Sequence, residues 1–156
     1  MSLTFHSPVI FVKDIKVSKD FYTRLLEQET EHDFGANILF KSHLSLWQVG
    51  KDHEIAEVVG NNIKGNTHEL YFETEDIEGV LKRIKESNVR FLHTKKTEPW
   101  GQMTFRFFDP DGHLIEIGES LNTFVSRIFH ETGSVSATMS RTGVPEETIR
   151  KILDQQ

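Results

Sequence analysis

One carboxylate in the sequence stands where a buried strand is expected. Glu116 lies within "HLIEIGE", where Ile115 and Ile117 flank it. Because side chains alternate between the two faces of a strand, Glu116 faces away from both isoleucines. If the isoleucines pack into a core, Glu116 points to the opposite face, where a carboxylate is costly unless it is ion-paired, protonated or bound to a metal. This residue is therefore the first candidate for a functional group.

A hairpin turn precedes that strand. The tetrapeptide Asp-Pro-Asp-Gly at 109–112 separates "MTFRFF" from "HLIEI". Proline favours the φ angle that a turn needs, and Asp-Gly tolerates the left-handed position. The pattern predicts two antiparallel strands joined by this turn, with Asp109 and Asp111 as turn formers rather than catalysts.

The same order of elements occurs twice along the chain. A strand rich in Val, Ile and Phe leads into Asp14 and a helix over about 15–28, and a strand at about 69–74 leads into Asp76 and a second amphipathic helix. An aspartate at this position can accept a hydrogen bond from the free N–H groups of the first helical turn. Strand-like runs follow both helices.

These repeats predict an α+β fold class with two tandem βαβββ units. The units span about 3–49 and 67–118, and a Gly- and Asn-containing connector at 50–66 joins them. We therefore expect a first domain over 1–118. A helical C-terminal extension follows over 119–156, where Gly143 suits a turn and Pro145 suits the first position of a last helix.

Composition excludes several classes of function. The chain has 18 basic and 24 acidic residues, a formal net charge of −6 and no basic block, so a nucleic-acid partner is disfavoured. It has no cysteine, which excludes disulfides, thiolate metal sites and cysteine nucleophiles. We find neither a signal peptide nor an apolar run of the roughly 20 residues that a membrane span needs, and expect a soluble, cytoplasmic protein.

The duplicated unit, the "VKDI…FY" start and the closing "FRFFDPDGHLIEI" resemble the vicinal oxygen chelate superfamily over about residues 5–118. That superfamily includes glyoxalase I, the extradiol dioxygenases and the fosfomycin and bleomycin resistance proteins. The resemblance implies that the two units form an eight-stranded cup. It also implies a divalent metal inside, such as Mg²⁺, Mn²⁺, Ni²⁺ or Zn²⁺, held by the first and last strands of each unit.

Matching the family's ligand positions implies a set of four residues, namely Ser7, Ser45, Glu69 and Glu116. Two carboxylates suit a hard cation, but serines are poor ligands, so half of the usual donors are missing. His6 and His68 lie one residue from matched positions, and alternation turns them to the other face. The alternatives are a weak metal site or two carboxylates that are hydrogen-bonded or share a proton.

The cup implied by the resemblance would also contain a ligand surface. Strand alternation places on its concave side Val9, Phe11, Trp47, Tyr71, Glu73, Thr104 and Arg106. Arg106 could bind a ligand carboxylate or phosphate, or form an internal ion pair with Glu73 or Glu116. Trp100, in the "EPWGQ" loop, could stack on the ligand or cover the core.

Two functions remain open at this point. One is metal-free binding of a small organic ligand, either anionic or uncharged, as in the bleomycin resistance branch, which the aromatic residues and the two serines favour. The alternative is a metal-dependent lyase or isomerase of the lactoylglutathione lyase type, with Glu69 or Glu116 as general base or metal ligand. The missing histidines argue against an extradiol dioxygenase.

The tail adds a third hypothesis. "VSATMSRTGVPEETIRKIL" faintly resembles a helix-turn-helix that would let a small-molecule sensor contact DNA. Its second helix opens with Glu146 and Glu147, which would repel phosphates, so packing of the tail on the cup or on a second chain is the preferred interpretation. An open sheet edge and the apolar tail favour a homodimer.

Overall fold

Two units organise the chain. The computed structural model describes residues 6–53, residue 56 and residues 69–155. Unit 1 comprises Met1–His68 together with Asp109–His113, and unit 2 comprises Glu69–Phe108 together with Leu114–Gln156. Most of the predicted connector at 50–66, and the expected orientation of His68, lie outside the described residues.

In its described residues, unit 1 contains a four-stranded sheet and a helix that continues into a π-helical turn. Its elements are β1 (Val9–Phe11), α1 (Ile15–Asp20) continued by a π-helical turn (Phe21–Leu25), β2 (Thr30–Asp33), β3 (Asn37–Phe40) and β4 (Ser45–Trp47). The strand order is β1-β4-β3-β2. The β1 and β4 strands run parallel, and the other neighbours are antiparallel.

Unit 2 repeats this plan. Its elements are β5 (Glu69–Thr74), α2 (Ile77–Lys85), β6 (Arg90–Thr97), β7 (Met103–Phe108) and β8 (Leu114–Glu119), followed by the C-terminal helices. The strand order is β5-β8-β7-β6, with β5 parallel to β8. The identical order confirms the predicted α+β class with tandem βαβββ units.

The two helix starts are capped as the sequence predicts. The Asp14 side chain accepts hydrogen bonds from the backbone N–H groups of Lys16 and Val17, and the Asp76 side chain accepts one from that of Gly79. Helix α1 with its π-helical turn ends at residue 25, three residues before the predicted end. Each cap satisfies N–H groups that have no partner within the helix.

The core of unit 2 follows strand alternation. Phe105, Phe107 and Ile115 are completely buried, and Ile117 is nearly so. Helix α2 packs against β7 and β8 and buries an apolar stripe that includes Leu81. Because one face of β7 and β8 builds this core, the residues between the buried ones emerge on the opposite face.

The hairpin turn at 109–113 belongs to unit 1, where it reverses the chain and also contacts the helical segment. Asp109 accepts hydrogen bonds from the backbone N–H groups of Asp111 and His113, as a turn former does, and Gly112 adopts the left-handed φ of 93°. Its second carboxylate oxygen lies 3.0 Å from the Tyr22 hydroxyl and 2.8 Å from His113 Nδ1. The turn is therefore attached to helix α1 through a buried tyrosine.

Three helices form the C-terminal part of unit 2. They are α3 (Leu121–Thr132), α4 (Val135–Thr142) and α5 (Glu146–Leu153). Their apolar core consists of Phe124, Val125, Ile128, Ile149 and Ile152 from α3 and α5, and Val135 of α4 packs against it. Gly143 ends α4 in the predicted left-handed conformation, whereas Pro145 precedes α5 as its N-cap instead of occupying its first turn.

Within the part of the chain that the structure describes, no helix has the length and apolarity needed to cross a bilayer.

Candidate functional site

Three strands of unit 2 bring candidate residues onto one face of the sheet. The register pairs Tyr71 of β5 with Glu116 of β8, and Glu116 with Arg106 of β7. Residues that are directly opposite on neighbouring strands point to the same side. Glu69 and Glu73 flank Tyr71 at a spacing of two and share its face. This surface, opposite the phenylalanine core, is called the unit 2 face below.

Arg106 lies at the centre of an ion-pair network on this face. Its guanidinium donates through Nε to Glu69 and through Nη1 to Glu98, each at 2.9 Å, and through Nη2 to Glu116. The Arg106 side chain is only 17% exposed, and the side chains of Glu98 and Glu116 are 7% and 6% exposed. The sequence suggested Glu73 or Glu116 as the partner of Arg106. The structure shows Arg106 in contact with Glu116, and also with Glu69 and Glu98.

Glu116 and Glu69 differ in their affinity for a proton. Burial, together with a hydrogen bond to Glu69, raises the pKa of Glu116 to about 7, although the Arg106 guanidinium acts in the opposite direction. The hydrogen bond from Arg106 lowers the pKa of Glu69. Glu116 is therefore partly protonated near neutral pH, while Glu69 is ionised.

Glu98 is a member of the network that sequence reasoning did not single out. Burial opposes its ionisation, but hydrogen bonds from Arg106, Lys96 and Thr104 outweigh that effect and lower the pKa of Glu98 to about 2. The Thr104 hydroxyl is fully buried and donates to Glu98 at 2.9 Å, so Thr104 supports the network instead of lining an open surface. Glu98 comes from the loop before β7, and its partners can be identified only from the three-dimensional structure.

A chain of polar contacts extends the unit 2 face towards the loop at 98–102, here called the Trp100 loop. Trp100 Nε1 donates to Gln102 Oε1 at 3.1 Å, and Gln102 Nε2 donates to the Tyr71 hydroxyl at 2.9 Å. The Tyr71 hydroxyl donates to Glu73 Oε1 at 3.2 Å. Tyr71 and Trp100 are 46% and 43% exposed, so both rings remain accessible.

Gly118 makes this chain of contacts sterically feasible. A Cβ atom at Gly118 would lie 2.9 Å from the Tyr71 hydroxyl and 3.0 Å from Gln102 Nε2. Such distances are too short for non-bonded atoms, so any larger residue would displace the two side chains. The absence of a side chain at this position of β8 therefore allows the Tyr71–Gln102 hydrogen bond.

The remaining candidates belong to unit 1, where they form two local contacts. The hydroxyls of Ser7 and Ser45 are hydrogen-bonded at 3.1 Å. The rings of Phe11 and Trp47 lie 5.9 Å apart between their centroids. Ser45 is buried, and Trp47 is half-buried. Unit 1 thus presents aromatic and hydroxyl groups where unit 2 presents charges.

The donor groups at the positions implied for a metal do not fit a divalent cation. In unit 2, a guanidinium already binds both matched carboxylates, Glu69 and Glu116. In unit 1, the matched positions carry neutral hydroxyls, which are weak ligands. Among the described residues, no group of three or more His, Cys, Asp or Glu side chains has an arrangement that could hold a metal ion.

A second charged group was not anticipated as a unit from the sequence. Burial of Asp109 opposes its ionisation, but hydrogen bonds from His113 and Tyr22, together with the charge of His113, outweigh burial and lower the pKa of Asp109. The hydrogen bond to Asp109 raises the pKa of His113. Through the completely buried Tyr22, this group holds the hairpin turn on the π-helical turn that continues α1.

The fold and the site define the class of protein. It is built from tandem βαβββ units, and its candidate residues lie on the sheet face opposite the helix. A family model described as a glyoxalase-like domain matches residues 5–122. The chain belongs to this family, and its placement in the vicinal oxygen chelate superfamily is confirmed.

Solved structures agree with this assignment. A protein of unknown function from Agrobacterium tumefaciens str. C58 is 34% identical, with a TM-score of 0.65 over 78% of this chain and 97% of that chain. A lactoylglutathione lyase from Agrobacterium tumefaciens is 19% identical, with a TM-score of 0.56 over 75% of this chain and 93% of that chain. A glyoxalase/bleomycin resistance protein/dioxygenase from Nocardioides is 20% identical, with a TM-score of 0.59 over 76% and 85%.

The last two similarities establish the fold alone, because one fold can carry unrelated chemistry. No protein of curated function matches the sequence.

Proposed function

We propose that this glyoxalase-like protein binds a small organic molecule on the unit 2 face and does so without a divalent metal. The observation that carries the proposal is the position of Arg106, whose guanidinium donates to Glu69, Glu98 and Glu116 together. A fixed cation in this position performs the charge compensation that a metal would otherwise provide. A metal would have to displace it.

The charge of the face favours a neutral or cationic ligand. The sequence alone suggested an anionic group bound by Arg106, but that guanidinium already donates to three carboxylates, and an anion would compete with all of them. The exposed rings of Tyr71 and Trp100 provide apolar area on the same face. An aromatic ring can also attract a cation over its π-face.

Metal analysis and thermal unfolding test the metal-free part of the proposal. We expect protein purified without chelator to contain no stoichiometric metal. We also expect Mg²⁺, Mn²⁺, Ni²⁺ or Zn²⁺ to leave its Tm unchanged, because a ligand raises Tm only if it binds the folded state. Arg106→Gln is the informative variant, since it removes the competing cation and keeps the carboxylates.

Two outcomes of this experiment are decisive. Stabilisation of the Arg106→Gln variant by a divalent cation, without stabilisation of the wild type, would show that the guanidinium excludes the metal. A stoichiometric metal in the wild-type protein that is lost in Glu116→Ala would contradict the proposal.

A second candidate function, acid–base catalysis, is favoured by the raised pKa of Glu116 beside the ionised Glu69. A carboxyl group with a pKa of about 7 can both accept and donate a proton at neutral pH. The hemithioacetal of methylglyoxal and glutathione is a suitable first substrate, assayed with and without Ni²⁺. Turnover that is lost in Glu116→Gln would support a lyase or isomerase; no turnover in either condition would leave ligand binding as the proposed function.

The expected homodimer also remains a proposal. Light scattering coupled to size-exclusion chromatography checks it directly, with 18.0 kDa as the monomer mass.

A further inference from the structure

We propose that the C-terminal helices hold the Trp100 loop in place through Arg127, which makes Arg127 a positioning residue for the unit 2 face. The consequence for a bound ligand rests on the function proposed above, whereas the positioning of the loop can be measured without any ligand. Helix α3 carries Arg127, and the family match ends at residue 122, so this contact comes from beyond the matched region.

Arg127 holds the backbone on both sides of Gln102, the last residue of the loop, directly at Gly101 and through Glu119 at Met103. Its Nη2 donates to the carbonyl oxygen of Gly101 at 2.7 Å and to Glu119 Oε2 at 2.6 Å, and its Nε donates to Glu119 Oε1 at 2.9 Å. Glu119 Oε2 in turn accepts the backbone N–H of Met103 at 2.8 Å. One partly buried ion pair thus fixes the backbone before and after Gln102, and hydrogen bonds to charged groups are among the stronger ones in proteins.

Helix α3 also packs directly on the backbone of the loop. Gly101 is buried and has a φ of +99°, and a Cβ atom there would lie 3.2 Å from Ile128 Cδ1 and 3.5 Å from a ring carbon of Phe124. Both of those side chains belong to the apolar core of the C-terminal helices. The loop therefore rests on the helical core itself.

The anchored residue is the one that organises the exposed aromatic groups. Gln102 accepts from Trp100 Nε1 and donates to the Tyr71 hydroxyl, and it also donates to the carbonyl oxygen of Glu119 at 2.8 Å. Displacement of the loop backbone would break these contacts together. The C-terminal helices consequently determine where the Trp100 ring lies relative to Tyr71.

Arg127 is also connected to helix α4 through a shared ion-pair partner, Glu131. Glu131 accepts from Arg127 Nη1 at 3.0 Å and from Arg141 Nη1 of helix α4 at 2.6 Å. Arg127 is therefore connected to α4 as well as to the loop, and a change in the packing of α4 on α3 would reach the Trp100 loop through two ion pairs.

Hydrogen exchange measured by mass spectrometry on the full chain tests the proposal. Arg127→Met keeps the aliphatic stem and removes the hydrogen bonds. Arg150→Met is the matched control, because among the described residues Arg150 pairs with Glu146 alone, on the exposed side of α5. In Arg127→Met we expect the amides of residues 98–103 to exchange roughly tenfold faster, as the loss of a charged hydrogen bond predicts, and Arg150→Met to leave them unchanged.

Tryptophan fluorescence gives a second readout, independent of the first. In a Trp47→Phe background Trp100 is the remaining tryptophan of the two in the chain. Arg127→Met should shift its emission to longer wavelength and increase quenching by acrylamide. Arg127→Lys, which retains one charged donor, should restore part of both signals.

The outcomes separate positioning from mere folding. The proposal would be overturned if faster exchange were confined to α3, α4 and α5 while residues 98–103 and Trp100 emission stayed unchanged. The loop conformation would then not depend on Arg127. If Arg127→Met does not fold, Arg127→Gln decides, because it also removes the charge that pairs with Glu119, and unchanged exchange of residues 98–103 in that variant would equally overturn the proposal. Each measurement uses the free protein, so a failure here is distinct from a failure to find a ligand or a metal.

Discussion

The two units share one backbone plan and differ in the chemistry that it carries. In each, the first strand pairs in parallel with the fourth, and the fourth pairs with the third. The residues in register across β1, β4 and β3 are Val9, Ser45 and Leu39, whereas those across β5, β8 and β7 are Tyr71, Glu116 and Arg106. The same positions are thus apolar or neutral in unit 1 and polar or charged in unit 2.

This difference indicates that the sheet topology does not depend on the residues at these positions. Both sheets form because the opposite face and the helix provide apolar burial, which is the main favourable term in folding. The positions in register on the other face are then free to differ. Unit 2 uses them for an ion-pair network around Arg106, and unit 1 uses them for aromatic packing and a hydrogen bond between two serines.

The largest expected effect comes from removing the cation of unit 2. Arg106→Met leaves Glu69, Glu98 and Glu116 without their shared partner, and we expect it to lower the free energy of unfolding by about 3 kcal/mol at pH 7. Leu39→Met, at the corresponding position of unit 1, conserves volume and should cost less than about 1.5 kcal/mol. Urea unfolding of both variants measures the contrast, and equal losses would contradict it.

A smaller effect is expected from two tyrosines that differ in burial. Tyr22→Phe removes the buried hydroxyl that donates to Asp109 in unit 1 and should cost about 1 kcal/mol. Tyr71→Phe removes the exposed hydroxyl of unit 2 and should change stability by less than about 0.5 kcal/mol. Guanidinium unfolding at constant pH compares the two. A larger loss for Tyr71→Phe would mean that the polar chain to Trp100 stabilises the fold more than the hairpin anchor does.

A final expected effect is a change in pH dependence. Because the pKa of Glu116 is raised to about 7 in the folded protein, the folded state retains a proton that the unfolded state loses from about pH 4.5 upwards. Stability attributed to Glu116 therefore falls as pH rises towards 7 and is constant above it. The difference in unfolding free energy between wild type and Glu116→Gln should decrease from pH 5 to pH 8.

Ser45→Ala, at the corresponding position of unit 1, provides the control for this pH dependence. Serine does not titrate in this range, so the difference between wild type and Ser45→Ala should be independent of pH. A slope in that difference equal to the slope for Glu116→Gln would assign the effect to some other group.

Local signals in the sequence predict much of this fold. Asp14 and Asp76 mark helix starts because an N-cap needs only neighbouring N–H groups, and Asp109 marks the hairpin for a similar reason. Strand β2 went undetected, since Thr30–Asp33 is mostly exposed and shows no apolar alternation. The π-helical turn at Phe21–Leu25 likewise has no sequence signal that distinguishes it from the α-helix preceding it.

The candidate site was predictable only in part. Alternation places Arg106 and Glu116 on one face, and an ion pair between them was one of two alternatives. The convergence of Glu69 and Glu98 on the same guanidinium depends on strand register and on a loop, and neither follows from spacing. The role of Arg127 has no local sequence signal either, because its partner Gly101 lies 26 residues away in sequence.

The contact between Arg127 and Gly101 bears on how such a chain can be cut or recombined. The family match ends at residue 122, within the first turn of α3, and a gene fusion or truncation designed at that boundary would discard Arg127 and the core residue Phe124. Gly101 would then lose the helix on which it rests, and Glu119 would face solvent without its cation. The boundary of the recognisable family is therefore not a safe place to divide this protein, whose C-terminal helices and Trp100 loop should be inherited or exchanged as one piece.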